Sequence, residues 1–180
     1  MRNPILAVCS LLAVLLCSGG PSQSATIGTP SQPTDDLATR VKVGTNPSWV
    51  TKCVSESRKS PLECTMEETL ILTNTGQLVA AVAFRINSDP SKPIMAVRVP
   101  SGLNLLAGIK VEIDGSKPTP VALKTCDVQG CFGESEIDAT FVAMLKRGKQ
   151  LTIMFKNLAN GNISLSLPLA NFSDAFQRIQ

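Results

Sequence analysis

Apolar positions along this chain fall into three regimes. Ile5–Cys17 is almost wholly apolar, with one positive charge before it at Arg2. The small, turn-forming run Gly19-Gly20-Pro21-Ser22-Gln23-Ser24-Ala25 follows. A short basic start, an apolar stretch of that length and a small-residue cleavage zone describe a secretory signal peptide over residues 1–25, not a membrane anchor. Residues 26–47 are rich in Thr, Pro, Ser, Gly and Asp and show neither the strand period nor the helical one. They read as a flexible linker with too little apolar surface to repay ordering. The third regime, residues 48–180, is where a folded domain is expected.

In that third regime the pattern is mostly that of strands. Trp49, Thr51 and Cys53 alternate with Val50, Lys52 and Val54. Gln77–Ile86 is an apolar run bounded by Asn74-Thr75-Gly76 and by Asn87-Ser88-Asp89-Pro90. Ile94–Val99 and Ile109–Ile113 follow, the second closed by the turn dipeptide Asp114-Gly115, and Pro120–Cys126 and Gln150–Lys156 look alike. Asn160-Gly161 separates Gln150–Lys156 from Ile163–Leu167 and predicts a hairpin. Two helices interrupt the series. Asp138 is placed to cap Ala139–Arg147, whose Phe141 and Leu145 share a face, whose Lys146 and Arg147 suit the negative end of the helix dipole, and whose end Gly148 can close. Ser173 is placed to cap Ser173–Ile179, with Phe172, Phe176 and Ile179 as its apolar stripe. The fold class expected is therefore mostly β: a single antiparallel β-sandwich-like domain with one or two short helices and two disulfides.

The cysteines supply the disulfides. Of six, Cys9 and Cys17 depart with the signal peptide and Cys53, Cys64, Cys126 and Cys131 remain. An even set delivered to an oxidising compartment reads as structural. Four cysteines allow three pairings; proximity favours Cys53 with Cys64 and Cys126 with Cys131. A zinc site would want two short cysteine pairs, and a redox site two residues between its thiols; neither spacing is present. Val14-Leu15-Leu16 before Cys17 puts a bulky leucine where a lipidation signal wants a small residue.

Composition narrows the chemistry. There is no histidine, which removes the commonest general base and metal ligand, and no tyrosine; Trp49 is the only tryptophan. Removing Arg2 leaves 16 Lys+Arg against 14 Asp+Glu, a net charge near +2, too small and too evenly spread for a nucleic-acid footprint. After the signal no run approaches the roughly 20 apolar residues that span a bilayer as a helix. Glu67-Glu68 and the series Glu134, Glu136, Asp138 are candidates for acid–base work, weighed against the solvated face of an edge strand. Lys146, Arg147 and Lys149, and Arg58-Lys59 in the first disulfide loop, read as dipole complements and solvated loop charges. Asn162-Ile163-Ser164 and Asn171-Phe172-Ser173 fit the glycosylation sequon and are given no role.

From Trp49 to about Ile179 the chain resembles the invasion-associated locus B family of exported bacterial proteins. The resemblance rests on Trp49-x-x-x-Cys53 with Cys64, Val99-Pro100-x-Gly102 leading to Gly108 and Asp114-Gly115, Cys126-x-x-x-Gly130-Cys131, Gly148 before a strand, and Phe172-x-x-Ala175. Asn171 departs from it, standing where that family more often has glycine. The resemblance implies a compact β-sandwich-like domain in the periplasm or at the cell surface of a Gram-negative bacterium, associated in pathogenic members with attachment to or entry into host cells. It lends no catalytic residues. The expectation is thus an exported, non-enzymatic protein acting by contact with a protein partner, with no cofactor, no metal and no nucleic acid. The alternatives are a periplasmic hydrolase or lyase using carboxylates such as Glu134 and Glu136, and a stress or chaperone-like factor with an exposed apolar groove.

Overall fold

The structure is a computed structural model that describes residues 41–43, 49–55, 57–72, 75–87 and 89–180. The signal peptide expected over residues 1–25 and nearly all of the linker expected over residues 26–47 lie outside the described residues. Ten strands are present: β1 (Val41–Val43), β2 (Val50–Val54), β3 (Glu63–Leu72), β4 (Leu78–Arg85), β5 (Ile94–Val99), β6 (Ile109–Ile113), β7 (Thr119–Asp127), β8 (Gly130–Glu136), β9 (Gln150–Lys156) and β10 (Asn162–Pro168). Helix α1 (Ala139–Arg147) precedes β9, and α2 (Phe172–Gln177) follows β10. Three residues of the expected linker thus form a strand, because Val41–Val43 offers its backbone to Leu70–Leu72 of β3.

All pairings are antiparallel, in the order β1-β3-β4-β5-β8-β7-β6-β9-β10, with β2 also on β3. β7 joins the two halves. Its first residues, Thr119–Val121, pair with β6, and from Ala122 onward it pairs with β8, with a register shift between Leu123 and Thr125. The sheet curls until Cα atoms of β10 come within 8 Å of β1 and β3. This is the sandwich-like arrangement in which one face packs on itself and the other meets water.

Strand alternation decides which side chains go inside. Met66, Leu70, Val82, Phe84, Met95 and Val97 point inward and are essentially fully buried. One end of the interior is filled by aromatics. The Trp49 ring meets the edge of Phe172 at 5.1 Å and tilts against Phe84 at 5.6 Å, while Phe172 stacks on Phe176 at 5.6 Å. Such pairs contribute about 0.5–1.5 kcal/mol each beyond the area they bury.

Helix α1 starts as its sequence dictates: Asp138 Oδ1 accepts the Phe141 N–H at 2.7 Å, and Phe141 and Leu145 are its buried face. Helix α2 corrects the sequence reading. Its cap position is Asn171, not Ser173; the Ser173 hydroxyl instead donates to the Lys146 carbonyl at 3.2 Å and ties α2 to α1. Asn171 has φ 62, the left-handed region that glycine and asparagine tolerate best. Asparagine accepts that backbone, so the departure from the resemblance at this position leaves the turn intact.

Both disulfides join residues directly opposite one another on neighbouring strands. Cys53 of β2 bonds Cys64 of β3, and Cys126 of β7 bonds Cys131 of β8, each with Cα atoms 4.0 Å apart.

Two glycines are required by space. At Gly148, φ is −72, so the residue is not a left-handed cap; its N–H donates to the Met144 carbonyl at 2.7 Å. A Cβ there would lie 2.7 Å from Ile113 Cγ2 and 2.9 Å from the Met144 oxygen. Gly130, beside the Cys126–Cys131 bond, has φ 146, and a Cβ would lie 2.5 Å from the Val99 carbonyl oxygen. Gly130→Ala is therefore expected to lower stability by about 2 kcal/mol or more, read as a shifted midpoint in equilibrium denaturation.

Candidate functional site

The outward face of the β2–β3–β4–β5–β8 half is set by the same alternation that fills the interior. Register lays out one row of neighbours as Val50, Glu67, Ala83, Ala96 and Glu134, and the next as Lys52, Thr65, Arg85, Ile94 and Glu136. Small alanines at the centre let longer charged side chains from both flanks lie over the sheet. Arg85 reaches Glu134 at 3.5 Å, with both side chains well exposed, so the pair contributes at most about 1 kcal/mol. Arg98 stacks over Phe132 at 5.6 Å and donates to the Gln129 carbonyl at 2.7 Å, fastening the β7–β8 turn to β5.

At one margin of this face lies β2. It pairs with β3 on one side and, among the described strands, with nothing on the other. Trp49 and Thr51 point inward, so Val50 and Val54 must point outward, where they are 63% and 52% exposed; Leu62 nearby is 68% exposed. Natural edges normally carry charge to discourage added strands, and here only Lys52 does so. The Cys53–Cys64 bond holds this edge flat against β3.

The carboxylates singled out by sequence separate. Glu134 and Glu136 do share a face, two residues apart, but β8 lies between β5 and β7 and is no edge strand. Asp138 leaves the series to cap α1. Glu67 faces outward and is exposed, whereas Glu68 faces inward between Met66 and Leu70 and is 5% exposed. Continuing the β2–β3 register by one residue sets Trp49 across from Glu68. Trp49 Nε1, Thr51 Oγ1 and Glu68 Oε2, all on the inner side of this pair, make no hydrogen bond among the described residues. Burial without a partner pushes the Glu68 carboxyl from 4.5 up to about 6.

The basic groups are also dispersed. Lys146 lies over the Phe176 ring at 5.0 Å, Arg147 donates to the Ala143 carbonyl, and the Lys149 backbone N–H donates to Asp114. Arg58 and Lys59 occupy the exposed turn of the first disulfide loop. Asn162 opens β10. Among the described residues no three His, Cys, Asp or Glu side chains are grouped to hold a metal ion, and no helix is long and apolar enough to cross a membrane. The exposed valines of β2 escaped the sequence reading as a site, although their alternation with Cys53 was visible.

Comparison with known proteins places these features in a wider group. A family described as invasion associated locus B (IalB) protein matches residues 49–180. Invasion protein B homologs of Brucella abortus strain 2308 and of Brucella abortus biovar 1 strain 9-941 are each 29% identical over 133 residues, spanning 73% of this chain and 75% of the relative. The crystal structure of invasion associated protein B from Bartonella henselae superposes with a TM-score of 0.65 at 22% identity, covering 77% of this chain and 94% of the other. That likeness supports the fold: mostly β, antiparallel, with two short helices.

Glu68 generates a measurable prediction. The folded chain holds its proton up to about pH 6, whereas the unfolded chain releases it near 4.5. Because the folded-state value is the higher one, the folded state binds more protons in that window. The Glu68 contribution to stability is therefore greatest below it and falls by about 2 kcal/mol as pH rises through it. Equilibrium denaturation near pH 4 and pH 7.5 (roughly either side of the window) checks this. Glu68→Gln should flatten the dependence and raise stability at the higher pH.

Proposed function

Because the chain belongs to the invasion associated locus B family, we propose that it is an exported, non-enzymatic protein that acts by protein contact in an invasion-associated role. Residues 1–25 direct export and are removed, residues 26–47 link, and residues 48–180 are the working domain. The compartment is the periplasm or the cell surface, where two disulfides persist because no pool keeps thiols reduced.

The observation that carries the contact reading is the β2 edge. Its unpaired backbone and outward Val50 and Val54 are what a partner strand needs: main-chain hydrogen bonds for affinity and alternate apolar side chains for specificity. The neighbouring rows supply a mixed-charge rim of Lys52, Glu67 and Arg85 for orientation. The carboxylate-hydrolase alternative draws less support. Its one carboxyl with a raised pKa among the described residues, Glu68, is enclosed by core side chains, and Glu134 is engaged with Arg85.

Photo-crosslinking residues placed at positions 50 and 54 in living cells should trap one discrete partner, while the same residue at the exposed Asn171 on the helical side should not. Val50→Lys with Val54→Lys should abolish that product and reduce host-cell entry of a complemented deletion strain at least severalfold, leaving the melting temperature unchanged. Equal entry by wild-type and variant strains, with no product at either position, would sink the proposal.

A further inference from the structure

The opposite feature of the fold from its aromatic, helix-closed end is the end where β5, β7 and β9 finish. Register brings three connections there: residues 100–108 after β5, the β7–β8 turn at 127–130, and the β9–β10 turn at 157–161. Each presents large aliphatic side chains to water. Leu105 is 59% exposed, Leu158 75%, Val128 99%, and Leu106 is fully exposed. Scattered single apolar residues on a surface are ordinary; several gathered on neighbouring loop tips are not.

These tips are held in place rather than loose. Leu103 is buried and bridges to Asn157, anchoring the base of the first loop. Asn104 Oδ1 accepts the N–H groups of Leu106 and Ala107, and its Nδ2 donates to Asn160 Oδ1 at 2.7 Å. The Leu158 N–H donates to the Gly102 carbonyl at 3.1 Å, and the Gly161 N–H to Asn157 Oδ1 at 2.8 Å. The polar groups between the tips are thus satisfied internally, while the leucines are fixed outward at a cost in hydration.

Charge indicates what covers them. Lys110 and Lys156 lie on the outward face just behind the tips, flanking Met154, which stands opposite Lys110 in the register. Both are exposed and, among the described residues, neither forms an ion pair. With Leu106 they line an open recess of about 650 Å³. The three loops carry a single carboxylate, Asp127, whose side chain is already bound to the Gln129 N–H at 2.7 Å. Aliphatic tips protruding from separate loops, backed by unpaired ammonium groups, match an interfacial membrane contact: the tips enter the headgroup–acyl boundary and the lysines meet anionic phosphates.

We propose that this end of the sheet, through Leu105, Leu106, Val128 and Leu158 with Lys110 and Lys156, docks on a bilayer surface bearing anionic phospholipids. Such docking leaves the β2 edge available, and the two surfaces are separable by mutation.

Vesicle flotation tests this with exported protein whose N-terminal sequence begins after residue 25, so that Ile5–Cys17 takes no part. Wild-type protein should float with vesicles of phosphatidylglycerol and phosphatidylethanolamine and remain behind with phosphatidylcholine alone. Lys110→Gln with Lys156→Gln should weaken binding to the anionic vesicles by about thirtyfold. Leu106→Ser with Leu158→Ser should weaken it at least as much, with an unchanged melting temperature. Should the leucine variant melt early, the lysine variant decides the question alone, since both of its side chains are exposed. Val50→Lys with Val54→Lys should float as wild type does. Wild-type protein that stays behind, or variants that float equally well, would overturn the proposal. A photo-crosslinker at position 106 that traps one discrete protein, with no vesicle binding, would overturn it as well.

Discussion

The contact between Trp49 and the Phe172–Phe176 pair is the constraint on which the rest depends. A curled sheet has an interior open at its ends, and this one is closed at one end by aromatic rings drawn from β4, from the residue entering β2 and from the last helix. Trp49 fixes the start of β2, and with it the inward direction of Thr51 and Cys53 and the outward direction of Val50 and Val54. Phe172 and Phe176 hold α2 against the same cluster, and Ser173 hands that position on to α1. The apolar interior thereby determines which residues are left for the surface.

That surface is poor in reactive groups and specific in shape. Some of its charged side chains are tied into the fold: Glu134 with Arg85, Asp138 with the start of α1, Asp114 with the backbone before β9, Lys146 with an aromatic ring. Apolar exceptions to this polar surface sit at two places, the margin of β2 and the leucine-tipped loops, where large aliphatic groups face water over braced backbone. Glu68 is an exception of another kind. It is a carboxyl set among core residues without a partner, which makes the β2–β3 pair the least comfortable part of an otherwise satisfied interior.

Much of the fold was legible in the sequence where local chemistry decides. β5 and β6 begin and end where their apolar runs do, because Pro93, Pro100, Gly108 and Asp114 bound them, and β9 keeps the bounds its alternation suggests. Helix α1 shows its cap, its buried pair and its terminal cations. β3 and β8 were harder, since Glu68 breaks the inward pattern of one and two glycines with two glutamates thin the other. The cap of α2 was missed because Ser173 satisfies the usual preference while the actual position demands a left-handed backbone. Strand order is non-local and has no sequence signature, so nothing in the alternation of Val50 and Val54 could tell that β2 lies at a margin. The leucines at residues 105, 106 and 158 read alike for the same reason.

The union of Trp49 with Phe172 also has a temporal meaning. One ring belongs to the first turn of the domain and the other to its final helix, so the interior cannot be sealed until synthesis is almost finished. Placing the keystone at both extremities of the domain delays closure until the whole strand set has emerged.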